Sequence, residues 1–89
     1  MRIPVRTGQF KRDVKLASRR NKNLSKLEAV LSDLIEEKVL DVRLRDHSLR
    51  GNYAGRRECH IEPDWLLFYK LEPKTIIFER LGTHADLFE

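Results

Sequence analysis

Apolar residues recur along the chain with two different periods. From about Gly8 to Arg20, Phe10, Val14 and Ala17 return at helical spacing, with Lys11, Lys15 and Arg19 beside one another at the same spacing. Thr7 stands where an N-cap belongs. Asn21-Lys22-Asn23 reads as a turn. A second helix is predicted from about Leu24 to Lys38, with Leu24, Leu27, Leu31, Leu34 and Ile35 as its apolar stripe. Either Asn23 caps it, or Ser25 does with Glu28 at capping-box spacing. Glu36 and Glu37 oppose the dipole at a helix C-terminus, so the last turn is expected to fray.

The pattern changes after Val42. Residues 43–57 carry arginines, two glycines and no helical period, and a short strand is expected near His47–Arg50. Three strand-like runs follow, Arg57–Ile61, Trp65–Leu71 and Thr75–Leu81, separated by Glu62-Pro63-Asp64 and Glu72-Pro73-Lys74. Links this short favour antiparallel neighbours. Ile3-Pro4-Val5 can add a strand, which Pro4 confines to an edge or a strand start. Gly82–Glu89 reads as a short tail. The predicted class is α+β: an N-terminal helical hairpin packed on one face of a four- or five-stranded antiparallel sheet. Alternation in Arg57–Ile61 sends Cys59 and Ile61 to one side and Glu58 and His60 to the other. The apolar pair is expected under the helices, leaving Glu58 and His60 on the open face. Trp65–Leu71 is apolar on both faces and is expected at the centre of the sheet.

At 89 residues the chain is expected to form a single domain, 1–89. Its longest apolar run, Trp65–Tyr69, is far too short to span a membrane. Arg2 and Arg6 are followed by no apolar stretch, so no secretory signal is expected. Cys59, the one cysteine, excludes an intramolecular disulfide and makes a reducing cytoplasm the expected compartment.

Charge adds a clue about partners. The net charge is +4, but residues 1–26 hold nine basic groups against Asp13 alone, whereas residues 27–89 are net −4. Inside that acidic remainder sits a second basic cluster: Arg43, Arg45, Arg50, Arg56 and Arg57. Two basic clusters suit a polyanion, nucleic acid above all, although a solvated helix face that resists aggregation has the same composition.

All three histidines, His47, His60 and His84, lie in the sheet half, with Asp46, Glu58, Glu62, Asp64, Glu79 and Asp86 near them. Imidazoles, carboxylates and arginines are what metal-free RNA cleavage needs. A base takes the 2′-hydroxyl proton, a cation steadies the phosphate, and an acid protonates the departing 5′-oxygen. Taken singly, each histidine is most simply a surface residue, and Trp65 and Phe88 are most simply core. Zinc on the histidines and Cys59 is disfavoured, because no pair has the close spacing of a structural site and Cys59 is predicted to face the core. Gly51, Gly55 and Gly82 form no phosphate-cradling signature. No metal and no cofactor is expected.

Three stretches together point further: Asp46-His47-Ser48-Leu49-Arg50-Gly51, then Gly55-Arg56-Arg57-Glu58-Cys59-His60-Ile61-Glu62-Pro63-Asp64-Trp65, and Gly82-Thr83-His84-Ala85-Asp86-Leu87-Phe88. This combination, D-H-x-L-x-G, H-I-x-P-D-W and G-T-H-x-x-L-F, resembles the YafQ-type branch of the RelE toxins. The order of an N-terminal strand, two helices and a sheet is similar too. The resemblance implies an endoribonuclease of a bacterial type II toxin–antitoxin pair, an mRNA interferase cutting mRNA in the ribosomal A site. It implies a catalytic cluster of His47, His60, Asp64 and His84, with His84 as general acid and either His47 or Asp64 as base. Glu58 takes a position where the family has an acidic residue. Trp65 and Phe88 match aromatic positions near the cut nucleotide, and Arg80 and Arg50 are candidate RNA contacts.

Implied partners are mRNA on the ribosome, 16S ribosomal RNA reached through Lys11, Lys15 and Arg19, and a cognate antitoxin. No membrane partner is implied. The free chain is expected to be a monomer that forms a hetero-oligomer with its antitoxin. Two alternatives share the scaffold: a ribosome-independent RNase, and a non-catalytic ParE-like inhibitory toxin. The histidines and Asp64 favour an enzyme, because an inhibitor has no use for an acid–base set.

Overall fold

Thr7 starts the first helix, α1 (Gly8–Arg19): its hydroxyl accepts from the Phe10 N–H at 3.0 Å. Such a cap contributes about 1 kcal/mol. Asn23, not Ser25, caps the second, α2 (Leu24–Ile35), accepting from the Ser25 and Lys26 N–H groups. Between them Asn21 takes the left-handed conformation, φ 58°, that closes the hairpin. The second helix ends at Ile35, and Glu37 turns the chain at φ 61°. The predicted last turn to Lys38 is absent, as expected where carboxylates meet the negative end of a helix dipole. The computed structural model describes residues 1–88.

Five strands form one sheet: β1 (Ile3–Arg6), β2 (His47–Ser48), β3 (Arg57–Glu62), β4 (Trp65–Leu71) and β5 (Thr75–Gly82), in the order β1-β5-β4-β3-β2. β4 is the middle strand, as its apolar faces require. The pairs β2–β3, β3–β4 and β4–β5 are antiparallel. The expectation of a purely antiparallel sheet fails at one edge, where β1 runs parallel to β5. Short turns dictate direction only for the strands they join. Almost the whole chain separates β1 from β5, so nothing local sets their relative direction.

Both helices lie over the same face. Phe10, Ala17, Leu27, Val30, Leu31 and Leu34 pack against Cys59, Ile61, Leu67, Tyr69, Ile76 and Phe78. Asp13, buried on α1, ties helix to sheet: it accepts from the Arg80 Nε and the Leu81 N–H, both at 2.9 Å. The opposite face is not open. Leu66, Phe68 and Leu87 form a second small core there, flanked by Leu49 and Tyr53. Apolar residues on both sides of β4 demand cover on both sides. The cover comes from the irregular segment around a 3-10 turn at Gly51–Tyr53 and from a third helix, α3 (His84–Phe88), where the sequence pattern predicted only a tail. Among the described residues, no helix is long and apolar enough to cross a membrane.

Candidate active site

Strand register brings the predicted residues together. Glu58 and His60 point away from the helices, opposite Phe68 and Leu66 of β4, while Cys59 is buried on the helix side. β2 adds His47 directly across from Glu58. α3 brings His84 to the same side. The rings form a row: His47 and His60 have centroids 6.2 Å apart, His60 and His84 5.9 Å, and His84 and Phe88 6.1 Å.

Each imidazole has one nitrogen engaged. Nδ1 of His47 meets the Arg45 carbonyl at 2.5 Å, so Nδ1 is the donor there, and Nε2 takes no part in that bond. Arg45 sits at φ 51°, in the left-handed region, a conformation that costs a non-glycine residue about 1 kcal/mol. The bend brings its carbonyl to the ring. Nε2 of His60 lies 2.7 Å from Oε1 of Glu58, a carboxylate buried beside it on the same face of β3. His84 donates twice to Oδ1 of Asp64, from its backbone N–H at 2.9 Å and from Nδ1 at 2.5 Å. These two bonds, the backbone one foremost, hold the Asp64 carboxyl below its usual range. The contact therefore persists at neutral pH and is lost only as acid titrates Asp64 through that lowered value. Nε2 of His84 takes no part in these bonds.

The edge strand carrying His47 is two residues long and is anchored from below. The Tyr69 hydroxyl donates to Asp46, and Arg57 donates to Asp46 at 3.3 Å and to the Ser48 hydroxyl at 3.0 Å. Burial and the Asp46 carboxylate push the Tyr69 phenol upward, which keeps it a donor. The second basic cluster is therefore divided. Arg57 serves Asp46, Arg56 pairs with Glu79 at 2.7 Å and Arg43 with Asp41 at 3.2 Å, while Arg45 and Arg50 are exposed. Lys26, Arg43, Arg45 and His60 line a cleft of about 570 Å³ along α2 and β3.

Some expected site residues lie elsewhere. Trp65 is 1% exposed within the helix-side core, with Lys22 over its ring, and a base cannot stack on it there. Alternation along β4 sets Trp65 on the core side with Leu67 and Tyr69, and the size of the indole keeps it there. Arg80 is engaged by Asp13, which accounts for its position without RNA. Phe88 is 48% exposed at the end of the histidine row, against Phe68 and Tyr53, and offers an aromatic surface. Cys59 is fully buried, and burial pushes its thiol up to about 12, which removes it as a nucleophile. Among the described residues no three His, Cys, Asp or Glu side chains are grouped to hold a metal ion.

Sequence reasoning missed Tyr53, whose hydroxyl donates to the Leu87 carbonyl at 3.1 Å. It also missed the capping role of Asp86, which shares a reciprocal cap with Thr83. The second had a readable signal, since T-x-x-D is capping-box spacing. Tyr53 lies in an irregular stretch and had none.

A family described as a bacterial toxin of type II toxin–antitoxin systems, YafQ, matches residues 2–89. The mRNA interferase toxin YafQ of Escherichia coli K12 is 47% identical over 83 residues, covering 92% of this chain and 90% of that protein. The crystal structure of YafQ from E. coli BL21(DE3) superposes with a TM-score of 0.96 at 43% identity, covering all of both chains. A structure of the E. coli DinJ–YafQ toxin–antitoxin complex matches with a TM-score of 0.93 at 45% identity, over 99% of this chain and 98% of that one.

Proposed function

The chain belongs to the YafQ family of bacterial toxins of type II toxin–antitoxin systems, and from that premise we propose that it is an mRNA interferase using metal-free acid–base catalysis in the ribosomal A site. The observation that carries the mechanism is the row of three imidazoles in which the outer two, His47 and His84, flank His60 with their Nδ1 atoms already engaged. In the proposed reaction Nε2 of His47 takes the proton of the 2′-hydroxyl. The 2′-oxygen attacks the adjacent phosphorus, the bond to the 5′-oxygen breaks, and Nε2 of His84 delivers a proton to that oxygen. The products are a 2′,3′-cyclic phosphate and a 5′-hydroxyl. His60, backed by Glu58, and the exposed Arg50 face the phosphate charge, and Phe88 stacks on a neighbouring base.

Between His47 and Asp64, the base is assigned to His47. The Asp64 oxygen already receives two bonds from His84, and its lowered pKa makes it a poor proton acceptor. Its role is to orient His84. The carboxylates near the row are matched with histidines, Glu58 with His60 and Asp64 with His84, which argues against a carboxylate nest for two metal ions.

Mapping 5′ ends of mRNA after incubation with and without ribosomes tests this reading. Cuts confined to the A-site codon of ribosome-engaged mRNA are expected, and toxin stripped with EDTA should cut as well as untreated toxin. Equal cutting of free RNA would replace it with a ribosome-independent RNase. No cutting at all would leave the ParE-like inhibitor.

Lys11, Lys15 and Arg19 are all exposed along α1, where a docking surface for 16S ribosomal RNA would lie. Reversing the three charges should weaken ribosome association and flatten its salt dependence, because each lost phosphate contact releases one counterion fewer. Turnover on saturating ribosomes should change little. A salt slope equal to wild type would make this face merely solvated.

The same helix borders a groove of about 400 Å³ between α1 and α2, with Val14 and Leu24 in its lining and Lys11 and Lys15 beside them. That combination suits an acidic, apolar-anchored antitoxin segment. In this reading the toxin is a cytoplasmic monomer when free and a hetero-oligomer with its antitoxin, whose binding there would also block the ribosome.

A further inference from the structure

His84 rides on a helix of five residues, too short to keep its shape unaided. We propose that Arg20, at the C-terminal end of α1, is a positioning residue for His84 and acts by gripping Asp86. The inference rests on His84 as the general acid.

One carboxylate does two jobs at this point. Asp86 Oδ2 accepts from the Thr83 N–H at 3.0 Å, while the Asp86 N–H donates to the Thr83 hydroxyl at 3.1 Å, closing the first turn of α3. Arg20 then clasps the same group from the helix layer, Nη1 to Oδ2 at 2.7 Å and Nη2 to Oδ1 at 3.4 Å. The fit against β5 is close: a Cβ on Gly82 would lie 2.8 Å from the Asp86 Cβ. His84 lies between Thr83 and Asp86, and both of its bonds to Asp64 depend on where this turn sits. The far end of α3 has separate anchors, the buried Leu87 and the Tyr53 hydroxyl. At its start, Arg20 is the grip that reaches across from α1. Arg20 and Thr83 hold the Asp86 carboxyl down to about 2, so the grip stays charged at any working pH.

The side chains of Arg20 and Asp86 are 43% and 25% exposed, and ion pairs this accessible contribute little to global stability. Catalytic geometry is less tolerant, since a misplacement of about 1 Å can cost about 10²-fold in rate. The test compares Arg20→Met, Asp86→Asn, the double variant and Arg20→Lys in ribosome-dependent cleavage, with Tm and the imidazole NMR resonances of His84 and His47.

Arg20→Met is expected to lower kcat about 10- to 100-fold with KM and Tm near wild type. His84 resonances should shift while those of His47 stay. Asp86→Asn should behave alike, the double variant should be no worse than either, and Arg20→Lys should restore part of the rate. Wild-type kcat with unmoved His84 resonances overturns the proposal. So does a rise in KM alone, which would make Arg20 a ribosome contact. If His84→Gln cleaves like wild type, the general-acid assignment has failed instead, and the NMR comparison still decides whether Arg20 positions the ring.

Discussion

An mRNA with 2′-deoxyribose at the cut position should not be cleaved by the wild-type toxin, even on ribosomes that position it normally. In the proposed reaction the 2′-oxygen is the nucleophile, and His47 is placed only to take its proton. Remove the hydroxyl and no attacking group remains, so the expected loss is complete. Binding should be nearly unchanged, because the proposed base stacking on Phe88 and phosphate contacts with Arg50 do not use the hydroxyl. A programmed ribosome carrying the single deoxy substitution in its A site, assayed against its all-ribose twin, measures this directly. Efficient cutting of the deoxy mRNA would mean that water attacks, and the histidine row would need other roles.

His84→Gln should slow cleavage by about 10²–10⁴-fold, the usual worth of general acid–base catalysis. Glutamine can accept or donate hydrogen bonds but cannot deliver a proton to the 5′-oxygen at neutral pH. The side chain is 53% exposed, so the substitution opens no cavity. The backbone N–H of residue 84 still donates to Asp64, which keeps the turn in place. Stability and antitoxin affinity are therefore expected to stay near wild type. Single-turnover cleavage on saturating ribosomes separates this loss from any change in binding. A slowing of less than about tenfold, well below that range, would move the acid to another group.

Local chemistry made much of this molecule readable in advance. The helix starts follow from Thr7 and Asn23, and the early end of α2 follows from Glu36 and Glu37. The turns at 62–64 and 72–74 announce three antiparallel strands. Glu58 and His60 share a face because successive side chains in a strand must alternate, whatever the rest of the chain does. Which residue types are suited to the proposed chemistry was likewise legible, since few side chains other than imidazole exchange protons near neutral pH.

What the tertiary structure alone decided is wherever distant segments meet. β1 runs parallel to β5 because the edge of the sheet needed a partner, and no short turn set its direction. His84–Phe88 folds into α3 because Leu66 and Phe68 leave an apolar face that Leu87 covers. Trp65 belongs to the core and not to RNA for a similar reason, its large ring being drawn under the helices. The 6.2 Å and 5.9 Å spacings that turn three histidines into a row depend on β2, β3 and α3 meeting at once. Capping, alternation and turn formation act over a few residues and leave their mark in sequence. Burial of a shared face acts between segments far apart in the chain, so only the packed whole determines where His47, His60 and His84 stand relative to one another.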